Sequence, residues 1–125
     1  MLDLPPYAEL LRLSARIEDG RLVFTMPFHE DVTGRPGYLH GGTIAALLEF
    51  AAFGTLRQRL EDEAVRIKPV TVTTDFMRGG RARDTVADAV IERLGRRIAN
   101  VDAFAWQDRR EEPIASARMT FLLER

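Results

Sequence analysis

The sequence predicts an α+β fold in which a curved antiparallel sheet wraps around one long central helix. The helix is expected over residues 42 to 60, and its first half is apolar on nearly every side, as in a buried helix. Two strand-like segments precede it and four follow. Alternation in three of the later segments puts small residues on one face, which lets a helix approach closely: Ala87, Ala89, Ala99, Val101, Ala103, Ala105, Ala115 and Ala117.

The N-terminal part is predicted to contain a short helix and a hairpin. Pro5-Pro6 opens an amphipathic pattern within Leu2 to Leu13, which is expected to cap the core. Asp19-Gly20 supplies the positive φ angles of a tight turn. It joins two predicted strands, Ala15 to Glu18 and Arg21 to Met26.

A loop separates this hairpin from the long helix. It runs from Pro27 to Leu39, longer than a simple connector, and is therefore a candidate wall of a functional site. The helix is predicted from Gly42 to Leu60 and is followed by a charged loop. The later strands are predicted at Pro69 to Arg78, Asp84 to Leu94, Arg97 to Trp106 and Ile114 to Leu123.

The composition limits the classes of protein to consider. A chain of 125 residues is expected to form one domain over residues 1 to 125. It has no cysteine, and its two histidines lie far apart, so no metal site is expected. The net charge of −1 argues against a nucleic-acid partner. The lack of a long apolar run or secretion signal predicts a cytoplasmic protein without a membrane partner.

Glu49 is the first candidate for chemistry. It interrupts a stretch that is otherwise apolar from Ile44 to Phe53. Burial of an ionised carboxylate costs several kcal/mol unless a partner compensates the charge. A carboxylate at this position therefore indicates a functional role.

His40-Gly41-Gly42 lies where the loop becomes the helix. The first turn of a helix presents unpaired N–H groups and a positive dipole end, which suits the oxyanion of an acyl-transfer intermediate. The alternative is that Gly41 and Gly42 only permit a tight turn. His40 can polarise a carbonyl, orient a group or hold the loop by a hydrogen bond, and for a lone histidine the structural role is favoured.

Glu49 and the glycines cannot act on one thioester within one chain. Glu49 lies seven residues after Gly42, on the same helical stripe but ~10 Å along the axis. If two copies pair around a two-fold axis with these stripes antiparallel, Glu49 of one lies beside Gly41 and Gly42 of the other. The sequence therefore predicts a composite site and an obligatory dimer.

One segment of the chain, residues 38 to 49, reads Tyr-Leu-His-Gly-Gly-Thr-Ile-Ala-Ala-Leu-Leu-Glu. It resembles the hotdog-fold acyl-CoA thioesterases, in particular the branch of the phenylacetic-acid-pathway enzymes. In that branch His-Gly-Gly opens the central helix and an acid follows nine residues after the His, as Glu49 follows His40. The resemblance extends over nearly the whole chain, because it includes Val70 to Arg78, Asp84-Thr85-Val86 and the later strand pattern.

The resemblance implies a hotdog fold and a dimer with one continuous sheet, often paired again into a tetramer. It implies hydrolysis of acyl-CoA thioesters without metal or cofactor, CoA being part of the substrate. Glu49 would be general base or nucleophile, and the Gly42 amide, helped by Gly41, would hold the thioester oxygen.

Two positions depart from the pattern of the family, and a third feature of that pattern has only uncertain counterparts. Many members carry Asn or Gln six residues before the His, where this chain has Gly34. Relatives often hold the water with Ser or Thr on the strand after the helix; Thr71 or Thr73 could serve, although ordinary strand threonine is the commoner role. The frequent Arg-Pro of that strand is Arg78-Gly79.

Substrate contacts remain open on sequence alone. Arginines in predicted loops could bind the CoA phosphates or simply be solvated: Arg81, Arg83, Arg96 and Arg97. Four apolar residues could line an acyl or aryl pocket or belong to the core: Phe50, Phe53, Tyr38 and Met77. The alternative functions are a noncatalytic acyl-CoA-binding module and, less favoured, a hydratase, for which no paired Asp and His are visible.

Overall fold

A computed structural model describes residues 4 to 125, and within them the predicted order of helices and strands is confirmed. The start of the predicted N-terminal helix, at Leu2, lies outside the described residues. The elements are α1 (Pro6–Leu10), β1 (Ser14–Glu18), β2 (Arg21–Met26), α2 (Gly41–Arg59), β3 (Arg66–Phe76), β4 (Thr85–Leu94), β5 (Ile98–Trp106) and β6 (Ala115–Glu124). Most ends agree with the predicted ones to one residue, and β3 begins three residues earlier.

The strands form one antiparallel sheet in the order β1-β2-β4-β5-β6-β3. The hairpin turn between β1 and β2 has positive φ at Asp19 and Gly20, as predicted. The two edge strands differ in length, since β1 has five residues and β3 has eleven.

The predicted face of small residues exists and carries α2. The register aligns Ala87 with Ala105 and Ala105 with Ala115, so that these three form one row across β4, β5 and β6. Ala89, Ala103 and Ala117 form the next row, and all six are buried.

α2 approaches the sheet closely along its length. Gly54 shows how closely, because a Cβ built there would lie 2.8 Å from the ring of Phe24 on β2. The buried side chains of the helix include Ile44, Leu47, Leu48 and Leu56. α2 is therefore the buried central element that the sequence predicts.

β3 is a long edge strand with its outer edge unpaired in the described chain. It hydrogen-bonds only to β6. Val70, Val72 and Phe76 are 57%, 44% and 55% exposed, which is unusual for large apolar residues on a strand. A β-bulge between Pro69 and Thr71 shifts the register in the first half of the strand.

We expect Ala103→Leu to destabilise the fold by about 1–3 kcal/mol, because extra methyl groups would push α2 off the sheet. The midpoint and slope of urea unfolding at fixed protein concentration measure this change. Ala15→Leu on the exposed strand β1 is the matched control and should change stability by less than about 0.5 kcal/mol. Equal effects of the two substitutions would contradict the tight helix–sheet contact.

Candidate active site

His40 is the N-cap residue of α2 and fixes its first turn. Its Nδ1 accepts a hydrogen bond of 2.8 Å from the Gly42 N–H. Its carbonyl oxygen accepts from the backbone N–H of Thr43 at 3.0 Å and from the Thr43 hydroxyl at 2.7 Å. The position of His40 thus supports the structural role that the sequence favours, with the imidazole replacing the usual capping hydroxyl or carboxylate.

The Gly41 N–H has no protein acceptor within residues 4 to 125. Gly41 lines a cavity of about 520 Å³ between the start of α2 and the end of β3. We call it the glycine cavity, and its lining includes Arg35, Tyr38, His40, Gly41, Phe76, Met77 and Arg78. The expected leading donor, Gly42, already bonds to His40, so Gly41 is the glycine of this turn that both lines the cavity and keeps an N–H without an acceptor in the described residues.

Gly34, where the resemblance implies a substrate-orienting Asn or Gln, has little room for a side chain. A Cβ built on Gly34 would lie 3.0 Å from the His40 Cα and 3.3 Å from the Leu39 carbonyl oxygen. The Gly34 N–H donates to the carbonyl of Tyr38 at 2.9 Å, which folds the loop back on itself. An amide side chain here would require the backbone to move.

Glu49 is exposed in the protomer and lies in a second, largely apolar depression of about 300 Å³. We call it the carboxylate cleft; it is lined by Pro5, Tyr7, Ala46, Glu49, Phe50, Phe53, Pro69, Met119 and Phe121. Glu49 forms no ion pair within residues 4 to 125. The residues from 4 to 125 therefore do not bury this carboxylate.

Two of the four predicted pocket residues, Phe50 and Phe53, line the carboxylate cleft, while Tyr38 and Met77 line the glycine cavity. The cleft also contains Tyr7 of α1, whose ring centre lies 6.4 Å from that of Phe50. The end of α1 is anchored to the core, because the buried His29 hydrogen-bonds through Nε2 to the carbonyl of Leu11, the residue that follows this helix, at 3.2 Å. The sequence pattern puts Tyr7 on the apolar side of the predicted N-terminal helix but did not indicate its place in this cleft.

The fully buried carboxylate of the described chain is Asp88, not Glu49. Arg110 donates to both Asp88 oxygens, at 2.8 and 3.2 Å, and an Arg21 nitrogen lies 3.0 Å from Oδ2. Two guanidinium groups thus compensate the charge of Asp88. The buried Asp88 therefore has a structural role. Glu49 has apolar neighbours in the sequence, but its own side chain is exposed in the protomer.

Thr71 and Thr73, the candidates for holding a water, lie in the protomer on the face of the sheet away from α2 and Glu49, and their role stays a prediction. They pair with Thr120 and Arg118, which lie on the face of the sheet opposite α2. Val72 and Thr74 pair instead with the buried Met119 and Ala117, on the helix side. The interpretation as ordinary strand threonines therefore fits better.

Arg96 and Arg97 lie at the turn between β4 and β5 and line a separate depression with residues 122 to 125. They do not line the glycine cavity of their own protomer. Arg81 lies next to that cavity, with its guanidinium 4.8 Å from the centre of the Tyr38 ring. Arg35, which sequence patterns did not single out, stacks on the same ring at 4.6 Å.

Comparison with known proteins identifies the family. The model of the thioesterase superfamily matches residues 36–114, which include His40, Gly41 and Glu49. The chain therefore belongs to the thioesterase superfamily. A comparison with functionally curated sequences finds no significant match.

Solved structures agree with this family. A protein from Chromobacterium violaceum is 37% identical over 95% of this chain and 83% of its own, with a TM-score of 0.78. A putative thioesterase from Ralstonia eutropha JMP134, described as phenylacetic acid degradation-related, is 25% identical over 97% and 92%, with a TM-score of 0.84. A Bacillus halodurans protein solved with CoA is 21% identical over 98% and 80%, with a TM-score of 0.88.

These findings confirm the hotdog fold and define the chain as a thioester hydrolase in the general sense. The particular branch and the meaning of its His-Gly-Gly motif stay predictions. None of the helices within residues 4 to 125 has the length and apolar character needed to cross a membrane.

We expect His40→Ala to lower the free energy of unfolding by about 1 kcal/mol, because it leaves the Gly42 N–H without its cap. Asn is a strong N-cap residue, so His40→Asn should restore most of this stability. Urea unfolding and thioesterase assays of both variants measure the effect. If His40→Asn is stable but inactive, the imidazole has a chemical role beyond capping.

Proposed function

We propose that the chain hydrolyses acyl-CoA thioesters to a free acid and CoA at a site shared between two subunits. Glu49 of one subunit and the Gly41 N–H of the other act on the same thioester. The observation that carries this proposal is that Glu49 and Gly41 border two separate cavities, near the two ends of one open edge strand.

The geometry of β3 supports a composite site. Phe76 borders the glycine cavity and Pro69 borders the carboxylate cleft, seven residues or roughly 23 Å apart along the strand. Antiparallel pairing of two β3 edges about a two-fold axis through Thr73 keeps the helix-side residues of both strands on one face and sets Phe76 of each copy opposite the bulge after Pro69 of the other. The glycine cavity of one copy then faces the carboxylate cleft of its partner.

The exposure of β3 also favours a second copy as the pairing partner. A long unpaired edge with apolar side chains is a template for another strand. Few such edges stay open in soluble proteins. Pairing would cover Val72 and Phe76 on the helix side and would desolvate Glu49 between its own cleft and the partner's α2.

The chemistry follows from these two groups. The Gly41 N–H donates to the thioester oxygen, and the positive end of α2 favours the charge that develops there. As general base, Glu49 takes a proton from water while the hydroxyl adds to the carbonyl carbon. The C–S bond then breaks, and the CoA thiolate leaves and is protonated.

The alternative route uses Glu49 as a nucleophile. Its carboxylate attacks the carbonyl carbon, the CoA thiolate leaves, and water hydrolyses the resulting mixed anhydride to regenerate the carboxylate. Both routes need only the carboxylate, the amide and water, so the proposal includes no metal or cofactor. The aromatic lining of the carboxylate cleft suits an apolar or aryl acyl group.

A noncatalytic acyl-CoA-binding module is the second candidate. It shares the fold and the binding cavities, because fold alone does not fix function. It predicts calorimetric binding of acyl-CoA without thiol release. The unpaired carboxylate next to an apolar cleft favours hydrolysis over binding alone.

We expect Glu49→Gln to lower kcat for acyl-CoA hydrolysis by about 10³-fold with the oligomer intact, because the amide can neither accept the water proton nor attack. Thiol release over a panel of aryl-, short- and long-chain CoA esters measures the loss, and size-exclusion chromatography checks assembly. Glu61→Gln, an exposed acid beyond the end of α2, is the matched control. Activity retained in Glu49→Gln would exclude the proposed mechanism.

We expect Gly41→Ala to remain folded and to lose about 10²-fold in activity. The nearest atoms to a Cβ at this position are those of the Phe76 ring at 3.6 Å, so a methyl group fits but stands in the glycine cavity. Circular dichroism and thiol release measure the two effects.

Co-expression of Gly41→Ala and Glu49→Gln chains tests the composite site directly. A mixed dimer retains one site with both groups intact if the site is shared, so activity should return to a large fraction of one wild-type site. If both groups acted within one chain, the mixed dimer would stay inactive.

A further inference from the structure

The ring of Tyr38 carries two arginines at the edge of the glycine cavity. The guanidinium carbon of Arg35 lies 4.6 Å from the ring centre and that of Arg81 lies 4.8 Å from it. Stacking on an aromatic ring holds a guanidinium by its face, so that its N–H groups in the plane stay free to donate to an anion.

Backbone hydrogen bonds fix the three residues relative to one another. The Tyr38 N–H donates to the Arg35 carbonyl at 2.9 Å, and Tyr38 and Arg81 form an isolated antiparallel bridge. Gln107 holds the backbone of Arg81. Its side-chain oxygen accepts from the Arg81 N–H and its side-chain nitrogen donates to the Arg81 carbonyl, each at 2.9 Å. The arrangement is therefore built into the loops.

Gly79 leaves room for the Tyr38 ring. A Cβ built on Gly79 would lie 3.2 Å from the ring, closer than ordinary packing contacts. This gives a physical reason for the Arg78-Gly79 of this chain, where a residue with a side chain would press on Tyr38. The glycine and the stacked ring belong to one arrangement.

The positive charge of this pair is not compensated by any residue that the structure describes. Within residues 4 to 125, neither Arg35 nor Arg81 forms an ion pair. Arg78 differs, because its Nη1 lies 3.8 Å from Glu112. A hydrogen bond from Arg109, with a smaller contribution from Arg78, holds the pKa of Glu112 below its usual range, so this neighbour is a carboxylate at neutral pH.

We propose that Arg35 and Arg81, held on Tyr38, bind the phosphate groups of the CoA moiety. Arg35, Tyr38 and Gly41 line one cavity, so a thioester held at Gly41 can extend its pantetheine arm past Tyr38 to the two guanidinium groups. This rests on the proposed function. It assigns phosphate binding to the loop before α2 and the loop after β3, whereas the turn of Arg96 and Arg97 serves another depression.

The test compares three thioesters of the acyl group that is hydrolysed fastest: the acyl-CoA, its 3′-dephospho form and the acyl-pantetheine. We expect Arg35→Ala and Arg81→Ala each to raise KM for the acyl-CoA about tenfold and to change kcat by less than about twofold, since each removes charge-assisted hydrogen bonds. Neither should change kcat/KM for the acyl-pantetheine, which has no phosphate. Arg35→Lys should recover part of the loss.

The controls separate this role from a structural one. Arg59→Ala removes an exposed arginine at the far end of α2 and should leave KM and kcat unchanged for all three substrates. Equal losses with acyl-CoA and acyl-pantetheine would overturn the proposal, as would unchanged KM in both variants. Loss of the preference for acyl-CoA in Arg96→Ala or Arg97→Ala alone would place the phosphates at the β4–β5 turn instead.

Calorimetry with CoA itself distinguishes failure of this inference from failure of the proposed hydrolysis. About tenfold weaker CoA binding to Arg35→Ala supports the phosphate contacts even if no acyl-CoA is cleaved. Unchanged CoA binding in a protein whose hydrolysis depends on Glu49 overturns the phosphate contacts and leaves the hydrolysis standing. The acyl-phosphopantetheine, assayed in parallel, separates recognition of the nucleotide phosphates from that of a single carrier phosphate.

Discussion

The close contact between α2 and the alanine rows of the sheet is the constraint on which the other features depend. Two rows of three alanines bring the helix axis near the sheet, and Gly54 brings it near Phe24. Because close-packed interiors resist displacement, this contact fixes the helix along its own axis and about it. The first turn then meets the end of β3 at Phe76, while Glu49 faces the other end near Pro69.

The start of α2 shows how a short sequence divides its donors. His40 uses its ring nitrogen to satisfy the Gly42 N–H, and its carbonyl satisfies Thr43, which leaves the Gly41 N–H open. An unpaired N–H at the positive end of a helix is costly when buried and useful when it faces a ligand cavity. Gly34 packs so closely on the His40 backbone that a side chain there would press on this turn.

Much of the fold could be predicted from the sequence because its signals are local. Asp19-Gly20 marks the hairpin, alternating alanines mark the inner face, and the apolar helix marks the centre. Side-chain directions at the site were less accessible. Thr71 and Thr73 would share the face of Pro69 in a regular strand, but the bulge after Pro69 turns them outward. The rotamer by which His40 bonds to Gly42, and the stacking of Arg35 on Tyr38, depend on contacts that no spacing encodes.

The two edges of the sheet differ in length and in charge, which bears on the proposed dimer. β1 is short, and its Arg16 pairs with Glu18 and bonds to Thr25, so this edge offers little backbone and much charge to an approaching strand. β3 is about twice as long, and its exposed residues include the apolar Pro69, Val70, Val72 and Phe76. When two β3 strands pair about a two-fold axis, neither copy keeps a free β3 edge for a further strand. In the proposed dimer, sheet growth would therefore stop at two protomers, and an exposed apolar edge strand would not lead to open-ended assembly.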